Sequence, residues 1–431
     1  MPGQLLSRAS CWAEAHFRFV ITLVVFSRLV MIPARAFILI NTQSPSDTRY
    51  FLDLARLSEQ GLYPYIHFWV EYPPIYPWLS VLAYRLSAGL AAGAAAEALF
   101  YVLLGAAHVV FELGTLAMIY RLAVLLAGAA SARRSVLMFA ILFVPAYLWT
   151  GWFDYLPELL FLAGLYWLLA GRERRSALAA GFGVMAKLFP VVLVPLALIT
   201  IQGIRRKLTY LVTTAAAVAL FAVPLALINR SLLTASLLNT FSRPSWETIW
   251  ALIDKYYGFG VVAPLAQHMS PESAFVPNHS SKLPWLLITG VFALALGIFY
   301  WRFWDSQRRR QGAGERYRIA AAAGFSLQLL LIYSRGYSPQ YLIWIAPLLV
   351  ILMPNRRGAA YLALLSLVNL IELPVFFSFF PDRPAILAVC ILVRSVLFVM
   401  IAWNYLVTAL DLDPARMRPS RTRAPATTGG N

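Results

Sequence analysis

SPSDTRYFLDLARLSEQGLYPYIHFWVEYPP (residues 44–74) stands between long apolar runs yet carries Asp47, Asp53, Glu59 and Glu71. Its setting decides the fold class. The chain has 431 residues, 60% of them hydrophobic, and a mean hydropathy of +0.69. Soluble domains carry about 45–50% apolar residues. The excess here lies in many long apolar runs, the signature of an all-α polytopic membrane protein. The quoted stretch therefore reads as a long aqueous loop directly after the first span.

The net charge of +17 excludes nucleic-acid binding by its distribution. The basic residues fall in short clusters between apolar runs: SARRS (131–135), GRERR (171–175), IRRK (204–207), RRRQGAGERYR (308–318), PNRR (354–357) and ARMRPSRTR (415–423). That is the pattern of cytoplasmic loops under the positive-inside rule. Candidate helices fall at 18–40, 98–127, 136–150, 155–170, 176–188, 190–203, 208–229, 284–304, 318–333, 340–353, 358–377 and 384–410. About twelve transmembrane helices are thus expected, with both termini in the cytoplasm. The acidic residues then sort to outer loops, chiefly 41–97 and 230–283. The apolar segment 73–90 would reverse this sorting if it spanned, so it reads as an interfacial or re-entrant helix on the outer side. KLFP (187–190) breaks 176–203 into a hairpin that brings Lys187 to the outer face. The first apolar run contains Arg28 and Arg35 and lacks a small-residue cleavage site, so it reads as a retained signal anchor. Cys11 and Cys390 lie too far apart in kind and place to suggest a disulfide framework. Residues 1–410 form one membrane domain, and 411–431 a basic cytoplasmic tail expected to be disordered.

Within the first loop, the Ser44-Pro45-Ser46-Asp47 turn precedes an amphipathic helix over 47–60, ended by Gly61. Ser46 or Asp47 suits the helix cap. A carboxylate at the rim of an apolar bundle, among aromatic neighbours, also suits a general base taking a proton from a sugar hydroxyl. Asp53, further along nearly the same helical face, is the weaker candidate. On the span 98–127, His108 and Glu112 share a face and read as a helix–helix pairing group.

Five short motifs, DTRYFLDLA (47–55), GLYPY (61–65), EYPPIYPWL (71–79), KLFPVVLVPLAL (187–198) and YSPQYLIWIAPLL (337–349), resemble in order and spacing the GT-C superfamily of integral-membrane glycosyltransferases. The closest likeness is to glycosyltransferase family 87, the polyprenyl-phosphate-mannose-dependent α-mannosyltransferases. The resemblance implies a GT-C-like architecture in the cell membrane with an extracytoplasmic active site, a polyprenyl-phosphate sugar donor, and a glycolipid or glycan acceptor. It places the catalytic acid at Asp47. The residue two positions on is Arg49 rather than a second Asp, which leaves a divalent metal unsupported, and no cofactor is expected.

Such a donor needs a cation for its departing phosphate. Lys187 and Arg335 near outer helix ends suit that role, as do Gln340 and Tyr341 at a helix start after Pro339. Arg49, His67, Glu71, Tyr72, Asp154 and Glu158 are the candidate sugar or acceptor contacts. Two other readings fit the composition. A lipid-linked-sugar flippase would show ionisable groups deep in several spans and repeat symmetry, and no repeat is visible. An oligosaccharide ligase would place its chemistry in a late loop such as 230–283.

Overall fold

The computed structural model describes residues 15–42, 47–142, 153–260, 264–277, 279–309 and 314–412. The turn at 44–46, the second half of the expected helix 136–150 and the tail beyond 412 lie outside these. The described residues form helices and connecting turns, with isolated β-bridges in place of a sheet. The principal helices are α1 (Phe17–Thr42), α2 (Asp47–Arg56), α3 (Ile75–Leu90), α4 (Gly93–Ala127), α5 (Ala129–Leu137), α6 (Tyr155–Leu169), α7 (Glu173–Ala186), α8 (Leu193–Thr200), α9 (Ile204–Ser242), α10 (Trp285–Arg309), α11 (Glu315–Tyr333), α12 (Leu342–Leu352), α13 (Arg356–Leu370) and α14 (Pro384–Leu410).

Six segments among the described residues are long and apolar enough to cross a membrane: Phe17–Asn41, Gly93–Ala127, Ile204–Ser242, Trp285–Arg309, Arg356–Phe379 and Pro384–Leu410. Tyr155–Leu169, Phe189–Thr200 and Pro339–Leu352 are apolar but shorter. Among the described residues, several of the other expected spans are apolar runs that fold as shorter helices in the bundle interior. α12 is the clearest case. All of its residues are buried, as befits a helix apolar on every side. By contrast, Leu227 on α9 is 83% exposed and Leu286 on α10 is 90% exposed. Large apolar side chains on an outer surface need a solvent of their own kind, and a bilayer supplies it. The protein is an integral membrane protein.

The helix expected at 208–229 is longer, running 204–242 through a break at Asn229. Pro224 removes one backbone donor ahead of the break. Asn229 recaps the following segment by accepting from the Leu232 N–H at 3.2 Å, and its amide donates to the Ile66 carbonyl at 3.2 Å. The loop beginning at residue 230 is thus helical to Ser242 and tied to the first loop. That first loop contains α2, a 3₁₀ turn (Leu57–Gln60) and α3. Gly61 ends it at φ +74°, a conformation that costs glycine little. His108 and Glu112 do pair helices: Arg28 of α1 donates to Glu112 at 2.8 Å, and His108 Nε2 lies 2.5 Å from the Tyr76 hydroxyl of α3.

Candidate active site

Four chain segments meet at one buried ion pair. Lys187 ends α7 in extended backbone, and Pro190, with no N–H and a fixed φ, turns the chain into a 3₁₀ helix (Phe189–Val192) instead of prolonging α7. Its Nζ donates to Asp154 Oδ1 at 2.5 Å, just ahead of α6. The same oxygen accepts the Trp344 indole N–H of α12 at 2.8 Å. Asp154 is fully buried. Its Oδ2 has no hydrogen-bond partner among the described residues. The ammonium is caged by aromatic rings, with centroids at 4.8 Å for Phe153, Tyr341 and Trp344 and 6.0 Å for Tyr72. A desolvated cation over several ring faces gains about 2 kcal/mol or more from their quadrupoles.

Asp47 opens α2 and faces this pair. The burial of its surroundings pushes its carboxyl above the usual aspartate range, against the pull of Lys187, while Asp154 adds to the rise. The Gln340 side chain bonds to it, and Arg243 adds a weaker opposing charge. Burial likewise raises Asp154, again opposed by Lys187. Phe51 holds α2 in place: its ring meets Tyr72 at 5.3 Å, Tyr76 at 4.6 Å and Phe153 at 5.3 Å. Tyr341 stacks on Trp344 at 4.2 Å, and a 3₁₀ turn (Pro339–Tyr341) feeds both into α12. The fold thus brings together Asp47, Lys187, Gln340, Tyr341, Tyr72 and Asp154. Glu71 is buried beside Tyr72. Glu158, one turn into α6 from Asp154, is buried with neither carboxylate oxygen bonded among the described residues.

Other candidates lie elsewhere. Arg49 pairs with Glu97 at 2.9 Å and Asp53 at 3.5 Å, so it braces α2 against α4. Asp53 also meets Arg56 at 3.4 Å, on the outward side of α2. His67 is exposed and accepts the Tyr63 N–H at 3.0 Å. Arg335 donates to the Arg243 carbonyl at 3.0 Å and lies over the Trp285 ring at 4.4 Å. Two members of the cluster were not among the sequence candidates. Arg243 sits at the end of α9 over the Trp246 ring, and Trp344 lies inside an apolar run. The indole N–H in a run otherwise without donors was the available signal for Trp344.

A buried carboxylate clamped by a lysine, beside a second raised carboxyl and tyrosines, is the candidate active site of this membrane protein. The sequence matches the profile of Glycosyltransferase family 87 over residues 69–334, and the chain belongs to that family. It is a membrane glycosyltransferase. Asp47, Gln340, Tyr341 and Trp344 lie outside the matched segment. No curated protein and no solved structure matches the chain.

Proposed function

We propose that the protein moves a single sugar, mannose, from a polyprenyl-phosphate donor to a glycolipid or envelope glycan on the extracytoplasmic side of the cell membrane. The observation that carries this reading is the Asp47–Lys187–Asp154 cluster, which sets a carboxyl poised to take a proton next to a caged cation. Asp47, as carboxylate, takes the acceptor hydroxyl proton. The freed oxygen attacks the anomeric carbon, the carbon–oxygen bond to phosphate breaks, and its electron pair leaves with the polyprenyl phosphate. Lys187 stabilises that charge as it develops, with Gln340 and Tyr341 on the same side. The unbonded Asp154 Oδ2, buried, is suited to a sugar hydroxyl. A single displacement inverts the anomeric centre, and every role in this scheme is filled by the chain's own side chains.

The test is transfer of radiolabelled mannose from mannosyl polyprenyl phosphate in vesicles containing EDTA, with the product's anomeric configuration read by NMR. Inverted product confirms the scheme. Retained configuration, or transfer only from a nucleotide sugar, ends it. The raised Asp47 carboxyl sets the sign of the pH dependence. The base works deprotonated, so kcat/KM rises with pH through its elevated value, and the acid limb lies above the ordinary aspartate range. A pH profile with its acid limb in the ordinary range would assign the limb to another group.

A further inference from the structure

A second cluster of buried charges lies outside this site: Glu247 (4% exposed), Glu372 (0%) and Arg394 (2%). Arg394, midway along α14, forks. One Nη donates to the Glu372 carboxylate and the other to the Glu247 backbone carbonyl. Its guanidinium lies 3.7 Å from the Tyr337 ring centroid. Glu247 holds φ +52°, a conformation uncommon for a side chain of its kind.

What this cluster grips is the backbone on either side of the site. Trp246 N–H donates to the Arg335 carbonyl, and Tyr337 N–H to the Trp246 carbonyl, both at 3.1 Å. The two segments thereby form a short paired ladder. The approach is close enough that a Cβ on Gly336 would lie 2.0 Å from the Trp246 ring. The Tyr337 hydroxyl bonds Asn369 at 3.1 Å, and Asn369 donates to the Pro339 carbonyl at 3.0 Å. Gln340 and Tyr341 follow directly on one segment, and Arg243 precedes on the other.

We propose that Arg394, Glu372 and Glu247 are positioning residues that seat the 243–248 and 335–341 segments, and through them Arg243, Gln340 and Tyr341, against Asp47 and Lys187. They touch no substrate. The proposal rests on the donor reading above only for what the seated residues do. The Glu247 and Glu372 carboxyls bond each other beside one guanidinium, so charge balances when one proton is held. Arg394 is bound to the Glu372 carboxylate, which leaves the proton to Glu247. Burial, then the adjacent Glu372, pushes the Glu247 carboxyl well above the usual range, against Arg394. The other groups around the cluster are Arg243 and Tyr256 from its own loop, Tyr337 and Tyr341, and Cys390 of α14. The seating therefore weakens as pH rises through the elevated Glu247 value.

The experiment pairs hydrogen–deuterium exchange of the full chain in nanodiscs with transfer from mannosyl polyprenyl phosphate. Glu372→Gln and Arg394→Gln are expected to speed exchange in both segments and lower transfer about 10²-fold, since a displacement near 1 Å has that effect on a reacting site. Gly336→Ala, which touches no charge, is expected to do the same by displacing Trp246. Glu247→Gln copies the protonated form, so it keeps exchange in both segments slow and moves the alkaline loss of transfer to higher pH. Unchanged exchange in the first two variants, fast exchange with undiminished transfer, or an unmoved alkaline limb in Glu247→Gln would each overturn the proposal. If the variants loosen both segments while the wild type moves no mannose, the positioning role is supported and the donor reading fails.

Discussion

Sugar transfer by Asp47→Asn is expected to fall at least about 10²-fold below wild type, the usual contribution of a general base. The substitution is close to isosteric, and Asn caps a helix about as well as Asp. α2 should therefore stay formed, and thermal unfolding in detergent should stay within a few degrees of wild type. The same comparison weighs the competing role. If Asp47 serves only as the cap of α2, the Asn protein transfers at the wild-type rate, and the catalytic assignment is lost. The neighbouring carboxylate is no substitute, because Asp53 is 45% exposed and held by Arg49 and Arg56.

Lys187→Ala carries the second large effect, and here structure and chemistry must be separated. The side chains of Lys187 and Asp154 are 11% and 0% exposed. Removing the lysine leaves Asp154 buried without its counter-ion, a loss of about 3–5 kcal/mol of stability. It also removes the cation assigned to the leaving phosphate, a loss of about 10²–10³-fold in transfer by the scale of other preorganised donors. The double variant Lys187→Ala with Asp154→Asn relieves the unpaired charge. Its unfolding temperature should recover most of the deficit while transfer stays low. Transfer that returns together with stability would make Lys187 a structural partner of Asp154 and nothing more. The measurement is a thermal-melt series run beside the vesicle assay on wild type and both variants.

Particular residues show how far sequence carried. The break at Lys187 was legible because proline acts locally: Pro190 cannot continue α7, whatever surrounds it. The loop helix from Asp47 and its stop at Gly61 were legible for the same reason, since capping and positive φ are decided within a few residues. Arg49 and His67 were read as substrate contacts because polar groups in an outer loop all look alike without neighbours. In the fold, Glu97 and the Tyr63 backbone take them up. Trp344 bonds Asp154 from 190 residues away, a separation no local pattern spans.

By itself, then, the amino-acid sequence determined the solvent and the punctuation of this protein. Summed apolar area demands a bilayer, clustered Lys and Arg divide the runs, and proline and glycine set where helices stop. Tertiary structure alone decided which charges meet. Desolvation and Coulomb attraction depend on distance in space and not along the chain, so only packing of α2, α6, α7 and α12 could bring Asp47, Asp154 and Lys187 together under Trp344, and only α14 could bring Arg394 beneath the segment that carries Gln340 and Tyr341.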